Sequence, residues 1–221
     1  IFVKKETNMN EIFENDSVIT RVHNFYNTYK ALIIGIAVIV LTTIFVFFAL
    51  NQISKSNNEN AAEIYNDWTL QEIETDDGKK ISRDLFNELI GSYKKTGYTK
   101  LALLNQASSD ARNGLNIESL NKFFMLIEIT DGFGGNELFN KIARVNAARL
   151  LYADKKYDEA LNLLEKYSSS SSAMIHELLG DILAKQEKID LAKNQYLLSK
   201  DKYTDETSTS IVSMKISNLS K

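Results

Sequence analysis

The sequence predicts an all-α protein in which one membrane-spanning helix is followed by a domain of helical repeats. Four observations favour this fold. Residues 31–50 contain no charged side chain, and the chain has no proline, the residue that breaks helix interiors. The apolar residues after position 50 recur at helical spacing. No segment alternates apolar and polar residues as a half-buried strand would.

Residues 31–50 have the length of a membrane span. At about 1.5 Å of rise per residue, a helix of this length covers the roughly 30 Å hydrocarbon core of a bilayer. Its only polar side chains are those of Thr42 and Thr43, whereas a helix of a soluble protein normally keeps a polar stripe. The run is also longer than the apolar region of a cleaved secretory signal. We therefore assign residues 31–53 to an uncleaved transmembrane helix.

The charges beside the span predict its orientation. Arg21 and Lys30 precede it, whereas Lys55 follows it and is itself followed by acidic residues. Basic residues favour the cytoplasmic side of a membrane. We therefore expect residues 1–30 to be a cytoplasmic tail, mobile over residues 1–20 with at most a short amphipathic turn, and residues 54–221 to form a domain outside the cytoplasm.

Composition argues against several functions. The formal net charge is −3, and no basic stripe of the kind that binds nucleic acid is present. The chain has no cysteine, and His176 is the only histidine after the span, so neither thiolate chemistry nor a paired-histidine metal site is available. The serines near His176, at residues 168–172, lie in a low-complexity segment. We predict no enzyme, no catalytic residue, no metal and no cofactor, and interpret His176 as a surface or groove residue.

Helical spacing predicts the remaining elements in order. The span helix can continue through residues 54–60, which contain neither glycine nor proline, and from Ala61 onward apolar residues recur at helical spacing. Residues 76–78 read as a turn, and Ser82 as the N-cap of a helix that stops at Gly97. Further helices are predicted at residues 99–112, 117–129, 136–153, 158–167, 173–186, 190–200 and 207–219. Their predicted apolar faces include Leu101, Leu104, Leu120, Phe124, Ile211, Met214 and Leu219.

The last helix pairs before residue 207 repeat with a period of 32 residues, which places Ala148 over Gly180 and Ala160 over Ala192. In each pair the small residue of the first helix precedes the small residue of the second by twelve positions. Small residues at these points let two antiparallel helices approach closely. A third, degenerate copy is fitted by Ser108, Ala111, Ile117, Leu120 and Phe124, with Leu120 in place of the second small residue and extra residues around 131–135.

These small and large residues resemble the tetratricopeptide pattern, at a period slightly shorter than usual. The layout of the whole chain is similar to that of the YfgM-type ancillary subunits of the bacterial Sec translocon. An aromatic-basic segment, residues 25–30, runs into the span, followed by the helix at 61–65 and by residues 178–183 within the repeats. The resemblance implies a single-pass protein of the bacterial inner membrane whose residues 54–221 are periplasmic. It further implies a non-enzymatic accessory that associates with the Sec translocon and with a membrane-anchored periplasmic peptidyl-prolyl isomerase. It also implies help for newly exported, unfolded polypeptides on their way to chaperones.

Stacked helix pairs leave a concave face formed mainly by the first helix of each pair. The tetratricopeptide alignment implies that this groove binds partner proteins. Its lining positions correspond here to Ile142, Val145, Arg149, Tyr152, Met174, Glu177, Asp181 and Lys185. A salt bridge between repeats, joining Arg149 to Asp181, is the structural alternative for that pair.

Two other functions stay open at this point. A structural scaffold of another envelope complex would bind one folded partner and no unfolded polypeptide. An envelope enzyme based on carboxylates would require a deep pocket containing carboxyl groups of raised pKa.

Overall fold

The computed structural model describes residues 9–71, 74–132, 134–170 and 172–219, and the side chains from residue 18 onward. Within these ranges the chain forms nine helices and no strand, which confirms the all-α fold. Two compact units are present, Ile1–Ser56 and Asn57–Lys221. The helices are α1 (Met9–Thr69), α2 (Asp76–Ser92), α3 (Gly97–Arg112), α4 (Asn116–Thr130), α5 (Glu137–Ala153), α6 (Tyr157–Glu165), α7 (Ala173–Lys185), α8 (Ile189–Lys202) and α9 (Glu206–Asn218).

Helix α1 is longer at its beginning than predicted. It starts at Met9, so the expectation of a mobile tail over residues 1–20 is wrong for residues 9–20, and residues 1–8 lie outside the described part of the chain. The first glycine of the sequence is Gly35 and there is no proline, so no helix breaker interrupts this stretch. The predicted continuation of the helix through residues 54–60 is confirmed.

The apolar part of α1 is a candidate membrane span by its length and composition. None of the residues in this apolar part is buried. The hydroxyl groups of Thr42 and Thr43 donate to the carbonyl oxygens of Val38 and Ile39, each at 2.8 Å. Such internal hydrogen bonds satisfy both hydroxyls without water, as a hydrocarbon environment requires.

Helix α2 begins six residues earlier than the predicted cap at Ser82. The side chain of Thr75 accepts a hydrogen bond from the amide of Gly78 at 3.0 Å and caps the helix. Asp76 and Asp77 occupy its first turn, where negative charge is favourable. The turn expected at residues 76–78 is therefore helical.

The next helix also begins earlier than expected, at Gly97 instead of residue 99. Thr96 caps α3 by accepting from the amide of Thr99 at 3.2 Å. Gly97, which was expected to end the preceding helix, is instead the first residue of α3.

Helices α3 to α9 form a linear array in which each helix contacts its neighbours in the sequence. Helix α5 also contacts α3 and α7, so the first helices of successive pairs lie side by side. The 32-residue repeat is confirmed, since Ala148, Ala160 and Ala192 are fully buried and Gly180 is buried too. The turns inside the two pairs agree as well: Lys155 and Glu187, 32 residues apart, adopt φ of 62° and 59°.

The third copy exists, but its register is one residue away from the predicted one. Ala107 and Ser119 are fully buried and Phe123 is 2% exposed, whereas Phe124 is 39% exposed. The hydroxyl of Ser119 donates to the carbonyl oxygen of Ala107 at 2.7 Å. Gly114, with φ of 77°, occupies the left-handed turn position seven residues after Ala107. Lys155 and Glu187 hold the same position after Ala148 and Gly180, so Ser119 and not Leu120 is the second small residue.

Similar register errors affect the apolar faces of α3 and α9. In α3, Leu103 is buried and the predicted Leu101 is exposed. In α9, Val212 is fully buried, while Ile211 and Met214, which were expected to face inward, are exposed. Val212 follows Gly180 by 32 residues, so α9 occupies the first-helix position of a further copy. It packs on α8, as expected for a helix that caps the stack.

Candidate functional site

The predicted groove residues lie on the first helices α5 and α7. The structure places them in three environments. Val145 is buried in the core and offers little surface to a partner. Ile142, Tyr152, Glu177 and Asp181 are half-buried, and Arg149, Met174 and Lys185 are exposed.

Arg149 and Met174 meet across the boundary between the two repeats. Nη2 of Arg149 lies 2.6 Å from Sδ of Met174. Both side chains are exposed. Helices α5 and α7 therefore present one continuous surface, which we call the α5–α7 face and define by Arg149, Tyr152, Met174, Glu177 and Asp181.

The two carboxylates of this face are joined to a residue that the sequence analysis did not select. Nζ of Lys215, on α9, lies 2.7 Å from Oε1 of Glu177 and 2.7 Å from both carboxylate oxygens of Asp181. Asp181 thus pairs with Lys215 and not with Arg149. The repeat alignment gives no signal for this residue. Lys215 follows Leu183 by 32 positions, and the equivalent residues of the two preceding copies, Leu151 and Leu183, are buried and apolar.

Two tyrosines complete this cluster. The hydroxyl of Tyr203 donates to Oε2 of Glu177 at 2.6 Å, and the hydroxyl of Tyr196 donates to Oδ1 of Asp181 at 2.7 Å. Nζ of Lys215 lies 5.9 Å from the centre of the Tyr196 ring. Five side chains from α7, α8, α9 and the residue after α8 are therefore tied together, and we call them the Lys215 cluster.

The pKa values of the Lys215 cluster follow from these contacts. Burial opposes ionisation of Glu177, but the hydrogen bonds from Lys215 and Tyr203 outweigh it and lower the pKa of Glu177. Burial likewise opposes the charge of Lys215, yet the carboxylates of Asp181 and Glu177 raise its pKa. Burial together with Glu177 raises the pKa of Tyr203 to about 12. The carboxylate of Glu177 and the ammonium of Lys215 are both charged at neutral pH.

This arrangement does not resemble a catalytic centre. A general acid that works at neutral pH needs a raised carboxyl pKa, whereas that of Glu177 is lowered. In the part of the chain that the structure describes, no group of three or more histidine, cysteine, aspartate or glutamate side chains could hold a metal ion. The α5–α7 face instead presents groups suited to binding another molecule, namely the guanidinium of Arg149, the thioether of Met174 and the phenol of Tyr152.

Tyr152 is the phenol of the α5–α7 face. Its ring lies 5.8 Å from that of Tyr157 between centroids. Burial and the nearby carboxylate of Asp181 raise its pKa. Tyr152 therefore borders the Lys215 cluster and stays neutral, as a hydrogen-bond donor, at physiological pH.

His176 is not the surface or groove residue that the sequence suggested. It is 1% exposed. Its Nε2 donates to the carbonyl oxygen of Ser170 at 2.8 Å, and its Nδ1 is hydrogen-bonded to Oε1 of Gln195 at 2.8 Å. The imidazole ties the serine-rich linker and α8 to α7, which is a structural role.

Comparison with protein families identifies one match. A family model described as a tetratricopeptide repeat-like domain matches residues 23–221. The matched region contains most of α1 and all of α2 to α9. No curated protein matches the chain.

Proposed function

The chain belongs to the tetratricopeptide repeat-like domain family, and from this premise we propose that it is a non-enzymatic accessory subunit of the bacterial Sec translocon. Helix α1 would anchor it in the inner membrane by a single span. The bias of basic residues toward the N-terminal side of the span supports a cytoplasmic N-terminus and a periplasmic repeat domain.

The proposed partners are the Sec translocon, a membrane-anchored periplasmic peptidyl-prolyl isomerase and unfolded exported polypeptides. Repeat domains of this kind bind other proteins through extended surfaces. Anchoring would keep the α5–α7 face beside the site where exported chains emerge. Tethering of this sort raises the effective concentration of a weak binding surface without any new contact, so modest affinity is sufficient.

The contact between Arg149 and Met174 supports this proposal most directly. It joins two repeats into one exposed surface that combines a cation, a flexible thioether and the neighbouring phenol of Tyr152. Methionine adapts to partners of different shape, and an arginine can pair with carboxylates or stack on aromatic rings. Such a surface suits varied polypeptide segments.

The test is photocrosslinking from the full-length protein in its native membrane. A photoreactive amino acid replaces Met174 or Arg149, both of which are exposed and outside the Lys215 cluster. Lys193, exposed on α8, provides the matched control position. Capture of translocon subunits and many exported proteins from the first two positions, and not from Lys193, is the expected result. If neither translocon nor chaperone subunits are captured, the proposal is wrong.

A structural scaffold of another cell-envelope complex is the second candidate. It is favoured by one observation: Glu177 and Asp181 are already engaged by Lys215, which leaves fewer adaptable polar groups for varied clients. The same crosslinking experiment separates the two functions. A single stoichiometric partner and no exported clients would support the scaffold.

A further inference from the structure

We propose that a cleft between α2, α3 and α4 is a second interaction site, which binds an acidic, amphipathic polypeptide segment of a partner protein. We call it the lysine cleft and define it by Ile90, Gly91, Lys94, Lys95, Lys100 and Met125. It shares no residue with the α5–α7 face, and the inference does not depend on the proposed function.

The floor of the lysine cleft is apolar and recessed. Ile90 of α2, Leu103 of α3 and Met125 of α4 line a cavity of about 300 Å³. Leu103 is 1% exposed, so it lies at the bottom, whereas Met125 is exposed at the side. Gly91 also lines the cavity, and its missing side chain leaves the space open. A cavity of this size accommodates one or two apolar side chains of a partner.

The rim of the cleft is basic. An adjoining cavity of about 430 Å³ shares Lys94 and Glu128 with the first and adds Lys95 and Lys100. Among the residues that the structure describes, none of these three lysines forms an ion pair with a carboxylate. Lys100 donates to the carbonyl oxygen of Lys95 at 3.2 Å, so it bonds to a neutral group.

The acidic residues near the cleft do not neutralise it. Asp131, which lines the second cavity, is already paired with Arg144 at 2.9 Å and with Lys166 at 3.1 Å. Glu128 is then the one remaining carboxylate that lines either cavity within the described ranges. Three cations therefore face one anion, in a chain whose formal net charge is −3.

Charge and shape together select the occupant. Uncompensated lysines favour carboxylates on the partner, because complementary charge steers and orients association. The apolar floor requires that the same segment also present aliphatic side chains. A flat anionic bilayer satisfies only the first requirement, because it cannot reach a floor recessed as deeply as Leu103. The cleft thus favours a polypeptide over a lipid surface.

The test uses the full chain in nanodiscs of neutral phosphatidylcholine and a labelled synthetic helical peptide. The peptide carries leucines at i, i+3, i+4 and i+7 and glutamates at the other positions. A second peptide replaces every glutamate by lysine. Fluorescence anisotropy gives the Kd of each peptide. We expect the acidic peptide to bind at least about tenfold more tightly than the basic one.

Two variants locate the binding. The double variant Lys94→Glu with Lys100→Glu reverses the charge of two lysines of the rim. It is expected to raise the Kd of the acidic peptide by about tenfold or more. Gly91→Leu fills the cleft and is expected to abolish binding. A Cβ at residue 91 meets no atom within 4 Å, and leucine is the better helix former, so this variant keeps its fold. The matched control, Lys193→Glu with Lys200→Glu on α8, is expected to bind like the original chain.

Several results would overturn the inference. Equal binding of both peptides would show that the lysines of the rim do not select an acidic segment. Unchanged binding of the acidic peptide by the Gly91→Leu variant would show that the peptide does not bind in the lysine cleft. Competition by phosphatidylglycerol vesicles, but not by phosphatidylcholine vesicles, would assign the lysines to a lipid surface instead. Crosslinking from Met174 is expected to be unaffected by Gly91→Leu, so failure of this inference is distinguishable from failure of the proposed function.

Discussion

Gly180 lies so close to the ring of Tyr196 that a Cβ built on it would be 2.5 Å from Cδ1 and Cε1 of that ring. Real side chains do not approach so closely. The contact brings α7 and α8 together at the position where the repeat alignment requires a small residue. A glycine inside a helix normally weakens it, so its presence here is explained by the tyrosine it faces.

Replacement of Gly180 by alanine is therefore expected to destabilise the domain. Overpacking of a filled core typically costs about 1–3 kcal/mol. Tyr196 is 3% exposed, so its ring has little room to move. Urea unfolding of the full chain in detergent micelles, followed by circular dichroism, measures this. Gly91→Ala is the matched control, because its Cβ meets no atom within 4 Å, and it should stabilise by about 1 kcal/mol. Stabilisation by both variants would contradict the close contact.

Lys215→Met is expected to lower the free energy of unfolding by about 2 kcal/mol, since it leaves two half-buried carboxylates without their cation. Methionine keeps most of the aliphatic packing, so the loss reports on charge. Lys200→Met, an exposed lysine on α8, should change the free energy by less than about 0.5 kcal/mol. Equal effects of the two substitutions would show that the Lys215 cluster contributes nothing specific.

Because the pKa of Glu177 is lowered in the folded chain, the free energy of unfolding depends on pH in the acidic range. A carboxyl group whose pKa is lower in the folded than in the unfolded chain contributes stability above the unfolded pKa, which is about 4.3. That contribution is lost as the pH falls through the folded pKa. The free energy of unfolding should therefore fall below about pH 5, and less steeply in Glu177→Gln.

Two features refine the acid experiment. The pKa of Asp131, through its hydrogen bond from Lys166, and that of Asp205, through the amide of Ser208, are lowered as well, so some slope remains in Glu177→Gln. The exposed Glu165→Gln on α6 is expected to follow the original chain. Identical slopes for the Glu177→Gln variant and the original chain would contradict the assigned role of Lys215 and Tyr203.

Glycine at Lys155 or at Glu187 is expected to stabilise the domain. Both residues adopt φ near 60°, a left-handed conformation that costs an L-residue about 1 kcal/mol relative to glycine. Part of the gain is offset by the flexibility of glycine in the unfolded chain, so we expect about 0.5 kcal/mol for each variant. Lys156→Gly, at φ of −84°, should bring no gain. Thermal unfolding of the three variants provides the comparison.

Single cysteines test the proposed orientation of the span. The chain has no cysteine, so Asn27→Cys and Asn60→Cys each introduce one unique thiol on an exposed position of α1. In intact spheroplasts, a membrane-impermeant maleimide should label Asn60→Cys and should label Asn27→Cys only after lysis. The reverse pattern would place the repeat domain in the cytoplasm and exclude the proposed role in export.

The fold was largely predictable because its helices are marked by apolar spacing and by small residues at regular intervals. Two of the errors arose where a polar residue is buried. Ser119 is fully buried because its hydroxyl bonds to the carbonyl oxygen of Ala107, and hydrophobic patterning instead favours Leu120 and Phe124. The burial of His176 was not predicted for the same reason, since both of its ring nitrogens form hydrogen bonds inside the domain.

The candidate site was less predictable than the fold. The family alignment selected Glu177 and Asp181, but it could not show that a lysine 34 residues after Asp181 would occupy them. Val145 was selected as a groove residue and is buried, because alignment positions carry no information on local packing. The lysine cleft is formed by three helices whose side chains meet only in the folded chain, so no linear motif marks it.

Helix α9 has consequences for how the array opens. It occupies a first-helix position and, among the described helices, contacts mainly α8, and segments with few packing partners open locally at low free energy. Fraying of α9 would remove Lys215 from Glu177 and Asp181 and leave two adjacent anions on α7. Charge repulsion between them would then loosen the preceding repeat. The ammonium of Lys215 thereby couples local opening of α9 to the cooperative unfolding of the repeat before it.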